Sequence, residues 1–273
     1  MPYAAIMVNV EDDEASSGRI KLAAHLSVRL RCALIGVAAR MPRPASLSDG
    51  DVVGGEAQYP IDAIDNWLGQ QENSFREIAS PIQQKIEWRS ATDFPVDFVA
   101  TQARAADLVI IAHRHVRDDP YHSLNPGAAL LKMGRPVLTV PPGLESLEAQ
   151  RVVVAWKDSR ECRRALRDAL PLLREAKEVF VIEASDEGSE SHAQKAVDDV
   201  CEYLVRHQVT AAAKSFARSQ TTAAAELIRA AQTMQADLIV AGAYGHSRLE
   251  EWIFGGVTRE LLQSAPICCL FSH

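Results

Sequence analysis

The sequence predicts an α/β protein made of two tandem doubly wound domains, each a five-stranded parallel sheet in the order 3-2-1-4-5 flanked by helices. Three observations predict it. Short apolar runs alternate with helix-periodic segments along the 273-residue chain. Those runs are continuous rather than alternating, as strands covered by helices on both faces require. Two pairs of segments also repeat at one common offset. "ADLVIIA" starts at Ala106 and "ADLIVAG" at Ala236, and Pro136 of "RPVLTV" stands the same 130 residues before Pro266 of "APICCLF". Two anchors sharing one offset mark a duplicated unit.

In the first copy, Ala4 to Val10 and Ala33 to Val37 read as strands, with a helix near Gly18 to Leu30 between them. The stretch 41–60, rich in Pro, Gly and Ser, reads as a long loop. A helix follows from Ile61, with Ile61, Ile64, Leu68, Phe75 and Ile78 on one face. The strands of the two repeated motifs complete this copy. Adjacent prolines in "VPPGLESLEAQ" (140–150) mark the joint, which sets the domains at 1–146 and 147–273.

The second copy opens with the strand Val152 to Trp156. Cys162, Ala165, Leu166, Ala169, Leu170 and Leu173 then fall on one helix face. Val179 to Ile182 is the next strand, and Ala193, Ala196, Val197, Val200, Cys201 and Leu204 line a second helix. A strand near Ala211 to Phe216, a helix across Thr221 to Met234 and the strand Leu238 to Val240 come next. A helix from Val257 to about Ser264 leads into the last strand, Ile267 to Phe271. Right-handed crossovers make the doubly wound sheet the simplest topology for this order.

Composition narrows the function. A formal charge of −7 argues against general binding to nucleic acid or an acidic membrane, because phosphate-rich surfaces need a basic counter-surface. The N-terminus lacks the pattern of a signal peptide, and no apolar run is long enough to span a bilayer. Five cysteines without C-x-x-C spacing read as buried free thiols in a reducing, cytoplasmic setting.

The stretch "GAYGHSRLEEWIFGGVT" (242–258) leaves one strand and enters a helix. Gly242 and Gly245 lie past the strand, and Gly255 and Gly256 lie ahead of the helix. Glycines there either build tight turns and a close helix–sheet contact, or bare the main chain for a phosphate at the helix start. Thr258 either caps the helix or offers its hydroxyl to a phosphate oxygen. The spacing is neither the dinucleotide fingerprint nor a P-loop.

The pattern G-x2-G-x9-G, then a small residue and V-S/T, resembles the nucleotide signature of the universal stress protein family; here it reads Gly242, Gly245, Gly255, Gly256, Val257, Thr258. The resemblance implies a cytoplasmic stress-response module holding ATP or another adenine nucleotide, with or without Mg2+. Gly242 and Gly245 would bracket the phosphates, and Gly255, Gly256 and Val257 would offer backbone donors. Ala155 and Trp156 would lie beside the adenine or ribose, and Ile182, at the end of its strand, would contact the adenine. Two departures stand out. The family places an Asp after the first strand, where this chain has Lys157, with Asp158 one residue late. Lys157 cannot accept a bond from a ribose but can pair with a phosphate. Asp158 reads as a helix cap with Glu161 three residues on. Gly256 replaces a common Ser or Thr.

In the first copy the offset carries Gly242, Gly245 and Gly255 onto Ala112, His115 and Asn125, so its motif is degenerate and the second copy is the nucleotide holder. His113, His115 and His122 read as loop residues rather than metal ligands. His246 and Arg248 read either as phosphate contacts or as an exposed loop. Trp252, Ile253 and Phe254 read as packing against the other copy. Asp107 and Asp237 are expected to fix a helix-to-strand turn. Ser247 and Ser264 lack a nucleophile setting, so no catalytic constellation is found. Three readings of function follow: a nucleotide-responsive regulator, a nucleotide-independent scaffold, and a slow ATPase or phosphoryl-transfer enzyme. The fused copies are expected to form an intramolecular pseudo-dimer. The strands 137–140 and 267–271, placed at sheet edges, are the expected route to a homo-oligomer.

Overall fold

The computed structural model describes residues 2–43, 58–113, 119–185, 190–217, 221–244 and 256–273. The first half runs β1 (Ala5–Asn9), α1 (Ser16–Arg29), β2 (Ala33–Ala39), α2 (Gln58–Ala79), β3 (Ile86–Ala91), α3 (Pro95–Gln102), β4 (Leu108–Ala112), α4 (Pro126–Lys132) and β5 (Val137–Val140). The second runs β6 (Arg151–Ala155), α5 (Arg160–Asp168), α6 (Leu170–Leu173), β7 (Glu178–Ser185), α7 (Glu190–Arg206), β8 (Ala211–Ala217), α8 (Ala223–Thr233), β9 (Leu238–Gly242), α9 (Gly256–Ser264) and β10 (Cys268–Ser272).

The strands form one ten-stranded sheet in the order β3-β2-β1-β4-β5-β10-β9-β6-β7-β8. Each half supplies a parallel five-stranded block in the expected 3-2-1-4-5 order, and the blocks meet where β5 and β10 pair antiparallel. This corrects the oligomer route: strands 137–140 and 267–271 are not edges, because each satisfies the other's ladder. Thr139 faces Cys269 in that ladder, residues related by the 130-residue repeat, so equivalent positions meet at the seam. Cores lie on both faces of the sheet. Val152, Val154 and Cys268 pack toward α5 and α7, while Val153, Ile239 and Cys269 pack toward α8 and α9.

Local chemistry explains where the elements stop. The single helix expected through Leu173 is two, because Pro171 has no N–H to continue the α5 ladder and sits instead in the first turn of α6. Asp107 accepts from Ala4 N at 2.7 Å and Ala5 N at 3.2 Å. Asp237 accepts from Gln150 N at 3.1 Å and Arg151 N at 3.2 Å. Both aspartates thus tie the start of one half's first strand to the start of its fourth, beyond the turn role expected. The joint 141–150 is packed rather than loose: Arg29 holds the Leu147 and Glu148 carbonyls at 2.8 and 2.9 Å. All five cysteines are free thiols, four of them buried.

Candidate functional site

In a doubly wound sheet the crevice for a ligand opens at the carboxyl ends of the strands where the winding reverses. In the second half that point lies between β6 and β9, which pair with Ala155 opposite Ala241. Ala155 ends β6, and Trp156 N donates to Ile182 O at 2.7 Å. Lys157 and Asp158 follow, both exposed.

Asp158 does not cap α5. Ser159 does, its Oγ accepting from Cys162 N at 3.3 Å, because it stands in extended backbone at the N-cap and Asp158 is one residue too early. Asp158 pairs with Arg163 instead. Glu161 is buried; burial pushes its carboxyl up, but the bond to Arg160 and those to its own backbone and Ser159 win and hold it below the usual range.

Ile182 is also re-placed. β7 continues to Ser185, so Ile182 lies inside the strand with its side chain fully buried, and its carbonyl is taken by Trp156. Glu183, next in sequence, is the residue the sequence reading passed over. Its carboxyl is raised, first by burial and then by Asp158, against the pull of His192 and Lys157. Those causes place Lys157, Asp158 and Glu183 in one electrostatic neighbourhood at the strand exits. The available signal was a carboxylate directly after a buried apolar run.

The glycines divide by role. A Cβ on Gly242 would stand 2.6 Å from Cys162 N and 2.8 Å from the Glu161 carbonyl carbon. Gly242 therefore lets α5 cross the strand end closely, the helix–sheet reading of that residue. Gly256 is different: it opens α9, is exposed, and a Cβ there would meet nothing within 4 Å among the described residues. Val257 beside it is 37% exposed. The first amides of a helix carry no intrahelical acceptor, so this end of α9 offers backbone donors. Thr258 is buried, and its Oγ1 accepts from Tyr244 N at 3.4 Å. That bond secures Tyr244, whose φ of 56° is uncommon for an aromatic residue. Gly245, His246 and Gly255 lie outside the described residues, as do Arg248, Trp252, Ile253, Phe254 and His115.

The same corner of the first half is built otherwise. Ile6 pairs with Leu108 as Val152 pairs with Leu238, so Asn9, Val10 and Glu11 stand where Ala155, Trp156 and Lys157 stand. Val10 N donates to Val37 O at 2.8 Å, the counterpart of the Trp156 bond. Glu11 is buried and turned inward, accepting from Leu124 N at 2.7 Å and Asn9 Nδ2 at 2.8 Å. Asn125 Oδ1 accepts from Ala128 N at 2.9 Å and caps α4. Arg19, fully buried, donates to Asn9 O at 3.0 Å and pairs with Asp13 at 2.7 Å. Among the described residues, this corner is held by bonds between the protein's own groups. His122 pairs with Asp119, and no group of three metal-ligating side chains occurs among the described residues. No helix among those residues is long and apolar enough to cross a membrane.

These features define a class: a tandem α/β protein whose second half starts α9 on an exposed glycine, while the matching corner of the first half is bonded internally. Residues 148–272, in the second half, match the universal stress protein family. A universal stress protein from Archaeoglobus fulgidus shares the fold, with a TM-score of 0.73 at 14% identity, covering 97% of this chain and 94% of that one. A functionally unknown protein from Pseudomonas aeruginosa matches with a TM-score of 0.60 at 17% identity, covering 97% and 91%. Among curated proteins no match is found.

Proposed function

We propose that this protein is a cytoplasmic stress-response regulator that binds an adenine nucleotide in the second half, at the crevice between β6 and β9. The observation that carries the reading is the exposed start of α9 at Gly256, where a side chain would meet none of the described residues, beside the strand exits where such folds take ligands. In this reading the amides of Gly256 and Val257 hold a phosphate and Lys157 pairs with it. Glu183 and Asp158 supply the acceptors for ribose hydroxyls that Lys157 cannot supply. Any Mg2+ would sit with the phosphates, within reach of the exposed Asp158 just past β6. Gly242 serves packing, and the first half is the structural partner.

The test uses the whole purified protein. Denaturation should release ATP, ADP or AMP, and calorimetric titration of nucleotide-free protein with ATP should give saturable heat. Gly256→Phe should abolish that heat while leaving the thermal unfolding temperature within a few degrees, because none of the described residues packs against that position. Absence of both nucleotide and heat sinks the reading in favour of a nucleotide-independent scaffold. Steady Mg-dependent phosphate release lost in Asp158→Asn would favour an enzyme.

A further inference from the structure

On the first half's outer face α1 packs against α2. On the second half the corresponding helices, α5 and α7, leave a groove of about 530 Å³ between them. Its floor is apolar and partly aromatic: Trp156, Leu166, Val200 and Tyr203. That volume is within the range of small-molecule sites, and such sites join apolar walls to a few placed polar groups.

The polar groups here come mainly from α5. Its arginines recur at positions 160, 163, 164 and 167, the spacing of one helix face, on a chain whose net charge is −7. Three of them, Arg163, Arg164 and Arg167, border the groove and are exposed. Two acids also border it. Asp158 is already paired with Arg163, which leaves Asp199 on α7 facing the cations. Arg164 is anchored through a 2.7 Å bond to the His273 carbonyl, and Arg167 has no ion-pair partner among the described residues. The balance is positive along one wall. Beneath it, the Trp156 indole Nε1 is buried with no hydrogen-bond acceptor among the described residues, so none of them anchors the ring against turning toward a bound oxygen.

We infer that the α5–α7 groove is a second ligand site, taking a small organic anion whose apolar body lies on Trp156 and Tyr203 and whose acidic group meets Arg163 and Arg167. Guanidinium groups suit that role because they bind planar carboxylates and stack on aromatic faces. The inference does not rest on nucleotide binding at α9.

The probe is naphthalene-2-carboxylate, with the neutral naphthalene-2-carboxamide as its charge control, titrated into the full chain. The readout is the indole N–H resonance of Trp156, assigned by its loss in Trp156→Phe. The carboxylate should shift that resonance saturably, and the carboxamide should bind about ten-fold more weakly. The double variant Arg163→Gln/Arg167→Gln should weaken the carboxylate to a similar degree. Val200→Trp, which fills the groove, should abolish the shift while circular dichroism reports an unchanged fold. A resonance that does not move, or one that moves equally in the arginine and groove-filling variants, overturns the site. Displacement of the carboxylate by AMP overturns its separateness, whereas simultaneous binding supports it.

Discussion

The two strand-exit crevices of this chain share a backbone plan and differ in what stands inside them. At β1 the chain places Glu11, buried and bonded to Leu124 N just ahead of α4; at β6 the matching residue is Lys157, exposed. At α4 a side chain caps the helix; at α9 the first residue is an exposed glycine with none of the described residues within 4 Å of where a side chain would stand. A carboxylate supplied by the chain occupies, in one half, the kind of place an outside anion would occupy in the other. Duplication permits this division, because one copy can trade ligand access for internal bonding while the other stays open.

Exchanging the two residues should break the comparison most severely. Glu11→Lys buries an ammonium where Leu124 N and Asn9 Nδ2 need an acceptor, which should cost about 3–5 kcal/mol in urea unfolding. Lys157→Glu, at an exposed position, should cost less than about 1 kcal/mol.

The seam offers the next effect. His113, the repeat counterpart of Ala243, is buried with Nδ1 3.2 Å from Thr139 Oγ1, whose hydroxyl donates to Cys269 O at 3.3 Å across the β5–β10 ladder. Burial pushes its imidazole down from 6.5 to about 4, against a weaker opposing effect of the Leu261 backbone. The folded pKa is depressed, so the unfolded chain binds the extra proton between those values. Stability is whole above pH 6.5 and falls as pH drops toward 4, by about 3 kcal/mol at the limit. Urea unfolding at pH 7.5 and 4.5 should show this loss in the native chain and much less of it in His113→Gln.

A gentler pair sharpens the division among the glycines. Gly242→Ala forces a methyl against the α5 backbone and should cost about 1–3 kcal/mol. Gly256→Ala meets none of the described residues and should change stability by less than about 0.5 kcal/mol.

Much of this was legible in the residues. The central strands are continuous apolar runs, and the shared offset at Ala106/Ala236 marks the repeat in the residues themselves. β3 was not singled out, because "IEWRSA" is an edge strand with an alternating, half-exposed pattern. The break at Pro171 was readable and missed, because the apolar face of the helix continues through it. Ile182 was placed at a strand end because the apolar run stops there, whereas hydrogen-bonded pairing with β8 carries the polar residues onward to Ser185. Glu11 gave no local sign of its role. Its partner Leu124 lies 113 residues away, and a bond of that range is set by topology rather than by neighbours in the chain.

The sharpest measurement follows the backbone amide resonances of both helix starts while AMP is added to the nucleotide-free protein. Gly256 and Val257 should shift saturably, and Gly127 and Ala128, at the capped start of α4, should stay in place. Equal shifts at both ends, or movement at α4 alone, would contradict the claim that one crevice is open and its twin is filled by the chain itself.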